Sequence, residues 1–213
     1  MRAADPLQAK LWLAAALCAA AALALGALVA HRPPSRLDAV AGDALRGGTV
    51  PLAVFFTALG RWPVLLGLGV AAFGLAMTLR AGTSAVVILY AAQVLSQAVN
   101  ALLKLGFQRA RPATWIRIHE TDLSFPSGHA VTAMVFFAGF AVLAWHAPLP
   151  RPVAAGIAAL LAVCAAGIPW SRLSLGAHYL TDVLGGLLLG AGFLCAALAV
   201  VLRFAPAAAI TTP

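Results

Sequence analysis

Charge is scarce in this sequence. Only 9% of its 213 residues are Asp, Glu, Lys or Arg, and 6 of them are acidic, against roughly 25% charged in a soluble domain. A hydrated globular surface cannot be built from so little charge, which excludes an ordinary soluble fold. Cysteine is also sparse: Cys18, Cys164 and Cys195 all sit within apolar runs and read as small buried hydrophobes rather than disulfide partners or metal ligands. There is no HExxH, no Asp-rich run and no Cys/His ligand spacing, so nothing calls for a metal or other cofactor. What abounds is apolar. Hydrophobic residues make up 63% of the chain and the mean hydropathy is +0.98, the composition of a membrane protein. The formal net charge is +8, but no basic stripe lies on a polar domain. Nucleic acid is therefore an unfavoured partner; lipid headgroups or an anionic substrate fit short basic loops better.

Hydropathy predicts an all-α polytopic bundle of six transmembrane helices plus a short interfacial helix, occupying residues 1–213 as a single integral membrane domain. The expected spans are Leu11–Ala30, Val64–Leu79, Thr83 to about Leu105, Pro126 to about His146, Val153–Ile168 and Tyr179–Leu202. Each approaches the roughly 20 apolar residues needed to cross a bilayer. The first is longer than the h-region of a cleaved signal and reads as a retained helix. His31–Thr49, with Pro33-Pro34 and Gly47-Gly48, reads as a loop, and Pro51–Leu59 as the interfacial helix. Trp12, Trp62, Trp145 and Trp170 fall near span ends, as an aromatic belt requires. With six spans, the loops after helices one, three and five share one side of the membrane. The charged loop after helix three and the stretch opening helix six are thus expected on one face.

Three clusters lie on that face. The first is Lys104 to Pro112, which closes a polar line of Gln93, Gln97, Asn100 and Lys104 along helix three. Such a line faces either a wet cavity or other helices as hydrogen-bonding glue. The second is Phe125-Pro-Ser127-Gly128-His129, at the start of helix four. A helix N-terminus presents free N–H groups to an anion; alternatively Ser127 is a plain cap and His129 an interface residue. The third is Ser171-Arg172 through His178 to Asp182. If this segment is helical from Ala177, His178 and Asp182 share a face, so the carboxylate fixes one imidazole tautomer. Together the clusters supply Lys104, Arg111 and Arg172 as cations, Ser127 and Gly128 as donors, and two histidines. A phosphoryl group, with its charge spread over three oxygens in the transition state, meets that demand.

With Lys-x6-Arg-Pro at Lys104–Pro112, Pro-Ser-Gly-His at Pro126–His129 and Ser-Arg-x5-His-x3-Asp at Ser171–Asp182, the chain resembles the type 2 phosphatidic acid phosphatase family of integral membrane lipid phosphatases. The family shares its motif with the soluble vanadium haloperoxidases. The motif region spans residues 104–182; the first hundred residues carry no diagnostic signature. The resemblance implies that His178 attacks phosphorus to give a phosphohistidine, oriented by Asp182. It also implies that His129 protonates the leaving group and then activates water. Lys104, Arg111, Ser127, Gly128 and Arg172 are implied as the phosphate-binding set, with no metal and no cofactor. A bacterial-type inner membrane, with the site on its extracytoplasmic face, is implied as well. Charge bias does not supply that orientation: five Lys and Arg fall on the proposed cytoplasmic side and nine on the other.

The expected partners are the bilayer and a lipid phosphate whose tail stays in it: undecaprenyl diphosphate, phosphatidylglycerol phosphate, phosphatidic acid or diacylglycerol diphosphate. Phosphoryl transfer to a second lipid, or binding or transport of an anionic lipid without turnover, are the alternatives. Oligomeric state is open. Arg109, Arg117, His119, Glu120 and Asp122 lie in a loop that fits either headgroup reading or ordinary solvated charge. Gly186 and Gly190 read as a packing pair in helix six.

Overall fold

The computed structural model describes residues 6–46, 49–113, 117, 118 and 120–204. Expectations placed on Gly47-Gly48, His119 and the chain ends fall outside them. Among the described residues every regular element is helical. Helix α1 (Pro6–Val29) is an Ala- and Leu-rich run, apolar all round as suits a membrane span. It lies along the last helix, α9 (Leu180–Phe204), where the absence of a side chain at Gly192 admits the Ala15 carbonyl.

The expected loop at 31–49 contains a helix instead, α2 (Arg36–Leu45). Its signal is local: Ser35 Oγ accepts from the Asp38 N–H at 3.1 Å, and the Asp38 carboxylate accepts from the Ser35 N–H at 3.1 Å. This reciprocal box satisfies two otherwise orphaned donors and starts the helix after Pro33-Pro34. The expected interfacial helix is α3 (Val50–Leu59), followed at 57° by α4 (Trp62–Thr78). The two either form one broken span or enter and turn within the membrane. Gly60-Arg61-Trp62-Pro63 makes the break, with Pro63 in the first turn of α4 where its missing N–H costs nothing.

Helix α5 (Thr83–Phe107) ends where Gln108 turns left-handed. Pro126 does not open the next helix as expected. The helix begins with α6 (Gly128–Thr132) and runs through a π-helical segment (Ala133–Ala138) into α7 (Gly139–His146), one continuous span. Helix α8 (Arg151–Ser174) also departs from expectation, continuing past Pro169 rather than stopping at Ile168. Proline lacks the N–H that bonds back one turn, but the turn after it is tied down otherwise: Ser171 Oγ donates to the Ile168 carbonyl at 2.7 Å, and Arg172 is anchored at its tip. Five helices are long and apolar enough to cross a membrane, six with the bent α3–α4 pair, so the chain is a multi-pass membrane protein.

The core is aromatic and aliphatic, centred on Leu65, Leu89, Phe136, Phe137 and Ile168, with Phe140 and Leu194 beside them. Helix α9 approaches α6 closely at glycines. A Cβ on Gly186 would stand 2.4 Å from the Ser127 carbonyl, and one on Gly190 would stand 2.9 Å from that of Val131. The expected packing pair thus sets how close the third cluster comes to the second.

Candidate active site

At one end of the bundle α5, α6, α8 and the turn before α9 surround a cavity of about 460 Å³, closed on the remaining side by the α3–α4 break. Lys104 sits in the last turn of α5, Arg172 in the last turn of α8, and Arg111 in the loop between α5 and α6. All three line the cavity, as do Gly128, His129 and His178. Ser127 is buried beside it with an unpartnered Oγ. Asp182 lies behind His178, fully buried. The three clusters, separated by up to 78 positions between Lys104 and Asp182, are therefore brought together.

His178 is not in a helix, contrary to the expectation that placed it one turn before Asp182. It lies in the turn that precedes α9, and the pair meets because the Asp182 carboxylate reaches back, accepting from the Tyr179 N–H at 2.8 Å. Nδ1 of His178 is 3.6 Å from Asp182 Oδ2, longer than a hydrogen bond. Ser124 stands between them, its Oγ donating to Asp182 Oδ2 at 2.5 Å and 3.4 Å from Nδ1. On the cavity side, Arg111 Nη1 is 3.1 Å from His178 Nε2. A guanidinium only donates, so Nε2 carries the lone pair and Nδ1 the proton. Burial holds the His178 imidazole down to about 4, reinforced by Arg111 and Arg172 and opposed in part by Asp182. At neutral pH the ring is a neutral imidazole with its Nε2 lone pair on the cavity side.

His129 opens α6 with its Nε2–H donating to the Thr57 carbonyl at 3.2 Å. The Thr57 hydroxyl accepts from Arg172 Nη1 at 2.5 Å. The short helix α3 thus holds both a histidine and a cation of the site, a role that no sequence signal at Thr57 announces. Gly60 is needed there, because a Cβ would stand 2.5 Å from the His129 ring.

The cations are met by carboxylates from a single stretch. Asp122 pairs with Lys104 at 2.9 Å and with Arg111, and Glu120 pairs with Arg172. Burial alone would raise these acids. Lys104 and Arg111 instead hold Asp122 down to about 2, and Arg172 holds Glu120 below the usual range. Two of the five loop residues weighed for headgroup reading are therefore counter-ions of the cation set. Arg117 is exposed and does not line the cavity, and His119 is outside the described residues. Arg109 corrects the expectation outright. It is 3% exposed, turned away from the cavity, and joins Asp182 Oδ1 at 2.6 Å to Asp38 of α2 at 3.1 Å. A buried guanidinium needs its charge met by carboxylates, and Arg109 has two of them, Asp38 and Asp182, behind the site.

The polar line along α5 divides. Gln93 Nε2 donates to Thr132 Oγ1 at 2.9 Å, as interhelical glue. Gln97 bonds Thr132 and the Gly128 carbonyl while also lining the cavity. Asn100 and Lys104 face the cavity. Beside Gly128, the Gln97 and Asn100 side chains leave 3.1 and 3.2 Å to where a Cβ would be. Among the described residues no group of three or more His, Cys, Asp or Glu is arranged to hold a metal. Three cations, a lone-pair nitrogen and a second histidine around one cavity can bind a tetrahedral oxyanion and attack its centre.

A family model described as PAP2 superfamily matches residues 85–205. Phosphatidylglycerophosphatase B of Bacillus subtilis is 37% identical over 93 residues, covering 43% of this chain and 46% of that protein. A lipid A 1-phosphatase of Rhizobium johnstonii is 39% identical over 102 residues, 43% of this chain and 38% of the relative. A putative undecaprenyl-diphosphatase of Escherichia coli is 42% identical over 72 residues, 34% of this chain and 32% of its own. The chain thus matches less than half the length of these curated relatives. The crystal structure of a transmembrane PAP2 type phosphatidylglycerolphosphate phosphatase from Bacillus subtilis superposes with a TM-score of 0.69 at 25% identity. That match covers 93% of this chain and 98% of the other.

Proposed function

Because this chain belongs to the PAP2 superfamily, we propose that it hydrolyses a phosphate monoester or diphosphate of a membrane lipid through a phosphohistidine on His178. The observation that carries the reading is the orientation of His178: its Nε2 lone pair faces a cavity that also holds Lys104, Arg111 and Arg172. A phosphoryl group entering there exchanges one set of anionic oxygens for another, since Asp122 and Glu120 already pair with the same cations. The cations are then never stripped of a counter-ion, the costly state in a low-dielectric site.

In the first step a bond forms between Nε2 and phosphorus as the phosphorus–oxygen bond to the lipid breaks. His129, as an imidazolium formed beside the bound anion, gives its proton to the departing oxygen. In the second step His129 takes a proton from water, the water oxygen bonds to phosphorus, and the bond to Nε2 breaks, returning neutral His178 and free phosphate. Charge on the equatorial oxygens is met by the three cations, the Ser127 hydroxyl and the N–H groups at the start of α6. Asp182, with Ser124, keeps the proton on Nδ1.

A lipid substrate is supported by the cavity wall. Trp62, Pro63 and Leu65 of α4 line it, and the same helix exposes Leu66, Val70 and Phe73 on its outer side, so an acyl or prenyl tail can stay in the bilayer. The named activities of the relatives make phosphatidylglycerol phosphate, lipid A 1-phosphate and undecaprenyl diphosphate the first substrates to assay, with phosphatidic acid beside them. The membrane is proposed to be a bacterial inner membrane, with the cavity on the extracytoplasmic side. Purified protein should release phosphate from at least one of these lipids, and His178→Ala should lower kcat by about a thousandfold or more. Full activity in that variant would sink the phosphohistidine.

A further inference from the structure

One buried ion pair, Asp38 with Arg109, takes no part in the chemistry proposed above. Asp38 lies on α2, ahead of the segment matched by the family model, and its side chain is fully buried. Its Oδ1 accepts from the Thr181 N–H and from Thr181 Oγ1, both at 2.9 Å. Its Oδ2 accepts from Arg109 Nη2 at 3.1 Å. Arg109 in turn gives Nη1 to Asp182 Oδ1 and to Thr181 Oγ1, both at 2.6 Å, while the Tyr179 ring lies 4.6 Å from the guanidinium carbon. A continuous line of contacts therefore runs from Asp38 through Arg109 to Asp182, and from Asp182 through Ser124 to His178.

We infer that Asp38 is a positioning residue for the nucleophile, acting through Arg109 and Thr181 to hold the Asp182 carboxylate against His178. The inference rests on the hydrolase reading for its consequence in turnover, but not for its geometry. Arg109 alone beside Asp182 would cancel the charge that keeps the proton on Nδ1 of His178. A second carboxylate on the far side of the guanidinium restores a net negative charge to the cluster. It also divides the fork between two acceptors, so the guanidinium cannot swing off its place beside Asp182 without breaking its bond to Asp38. The capping box adds rigidity: Asp38 Oδ2 also accepts from the Ser35 N–H, which ties the carboxylate to the start of its own helix. Docking of an extramembrane helix and alignment of the catalytic pair are thereby one event.

The test uses full-length protein in detergent and reads His178 directly. Diethyl pyrocarbonate acylates neutral imidazole, so the pH midpoint of carbethoxylation at His178, followed by mass spectrometry, reports its protonation without turnover. His178 is faced by Asp182 with Arg109 and Asp38 behind it, by Arg111 and Ser124 from the loop, by Arg172 on α8 and by His129 on α6. Asp38→Asn is isosteric and removes one negative charge from that set. The midpoint should move to lower pH by about half a unit or more, and kcat should fall about tenfold with KM within about twofold. Thr181→Val removes the hydroxyl link and no charge; kcat should fall and the midpoint should stay.

A purely structural pin predicts otherwise: less folded protein, with the midpoint of what remains unmoved. That result, or an unchanged kcat and midpoint in Asp38→Asn, overturns the proposal. Should Asp38→Asn fail to fold, Thr181→Val decides, and an unchanged kcat overturns it. If the wild type releases no lipid phosphate while the midpoint still shifts, the hydrolase reading falls and the positioning role stands.

Discussion

At His178 a donor count decides the tautomer. Arg111 can only donate to Nε2, so the proton is on Nδ1, facing Ser124 and Asp182. That imidazole is buried and held down to about 4, with burial the largest cause, below the ordinary value near 6.5. The unfolded chain therefore takes up a proton between about pH 6.5 and 4 that the folded state refuses. Stability from this site is fully present above about 6.5 and is lost as pH falls toward 4, by an amount on the order of 3 kcal/mol. In detergent the melting temperature should fall from pH 7 to pH 5, and His178→Ala should flatten that slope. Equal slopes for the two proteins would contradict the neutral, buried imidazole. Ser124 offers a second residue-scale outcome. Its hydroxyl is fully buried and bonded to Asp182, so Ser124→Ala should lower kcat about tenfold by loosening Asp182, with KM little changed. Steady-state kinetics on the preferred lipid checks this.

Among the elements, α9 and α6 are the pair whose separation matters most, because they carry the two histidines' neighbours. Gly186 stands where a Cβ would meet the Ser127 carbonyl at 2.4 Å. Backbone cannot move aside as a flexible side chain can, so Gly186→Ala should push α6 away. Overpacking of this kind costs about 1–3 kcal/mol, visible as a lower melting temperature together with lost phosphate release. Gly74 on α4 has nothing within 4 Å of its would-be Cβ, and Gly74→Ala should leave both unchanged. The bent α3–α4 pair is the other deciding element. A straight helix through 50–78 would carry Thr57 away from His129 and Arg172, both of which it now holds. Gly60 and Pro63 break the run and keep it at the cavity.

For the whole molecule, the loops after α1, α5 and α8 gather at one end, and the turns after the bent pair and α7 lie at the other. This parity follows when the bent pair crosses as one span, and it leaves the orientation in the cell to experiment. In a background where Cys18, Cys164 and Cys195 are replaced, a single cysteine in place of exposed Asp43 on α2 should react with a membrane-impermeant maleimide in intact cells. One in place of Pro148, between α7 and α8, should react only after lysis. The reverse pattern would turn the cavity toward the cytoplasm.

Hydropathy and spacing by themselves determined the spans and the three clusters, because both are local properties: an apolar run is long enough to cross or it is not, and a motif keeps its intervals wherever it folds. The polar line from Gln93 to Lys104 was legible for the same reason, as a face of one helix. What lies behind the site was decided only in three dimensions. Arg109 looked like solvated loop charge until two carboxylates, Asp38 and Asp182, closed around it from positions far away in the chain. Ser124 and Thr57 carry no motif, and their partners are 58 and 115 residues distant. The capping box announces α2, but nothing local announces that Asp38 would then be buried against Thr181, 143 residues on. Desolvation is the physical reason: a charge buried in the bundle must find its counter-charge wherever packing puts one, and packing is a property of the assembled helices.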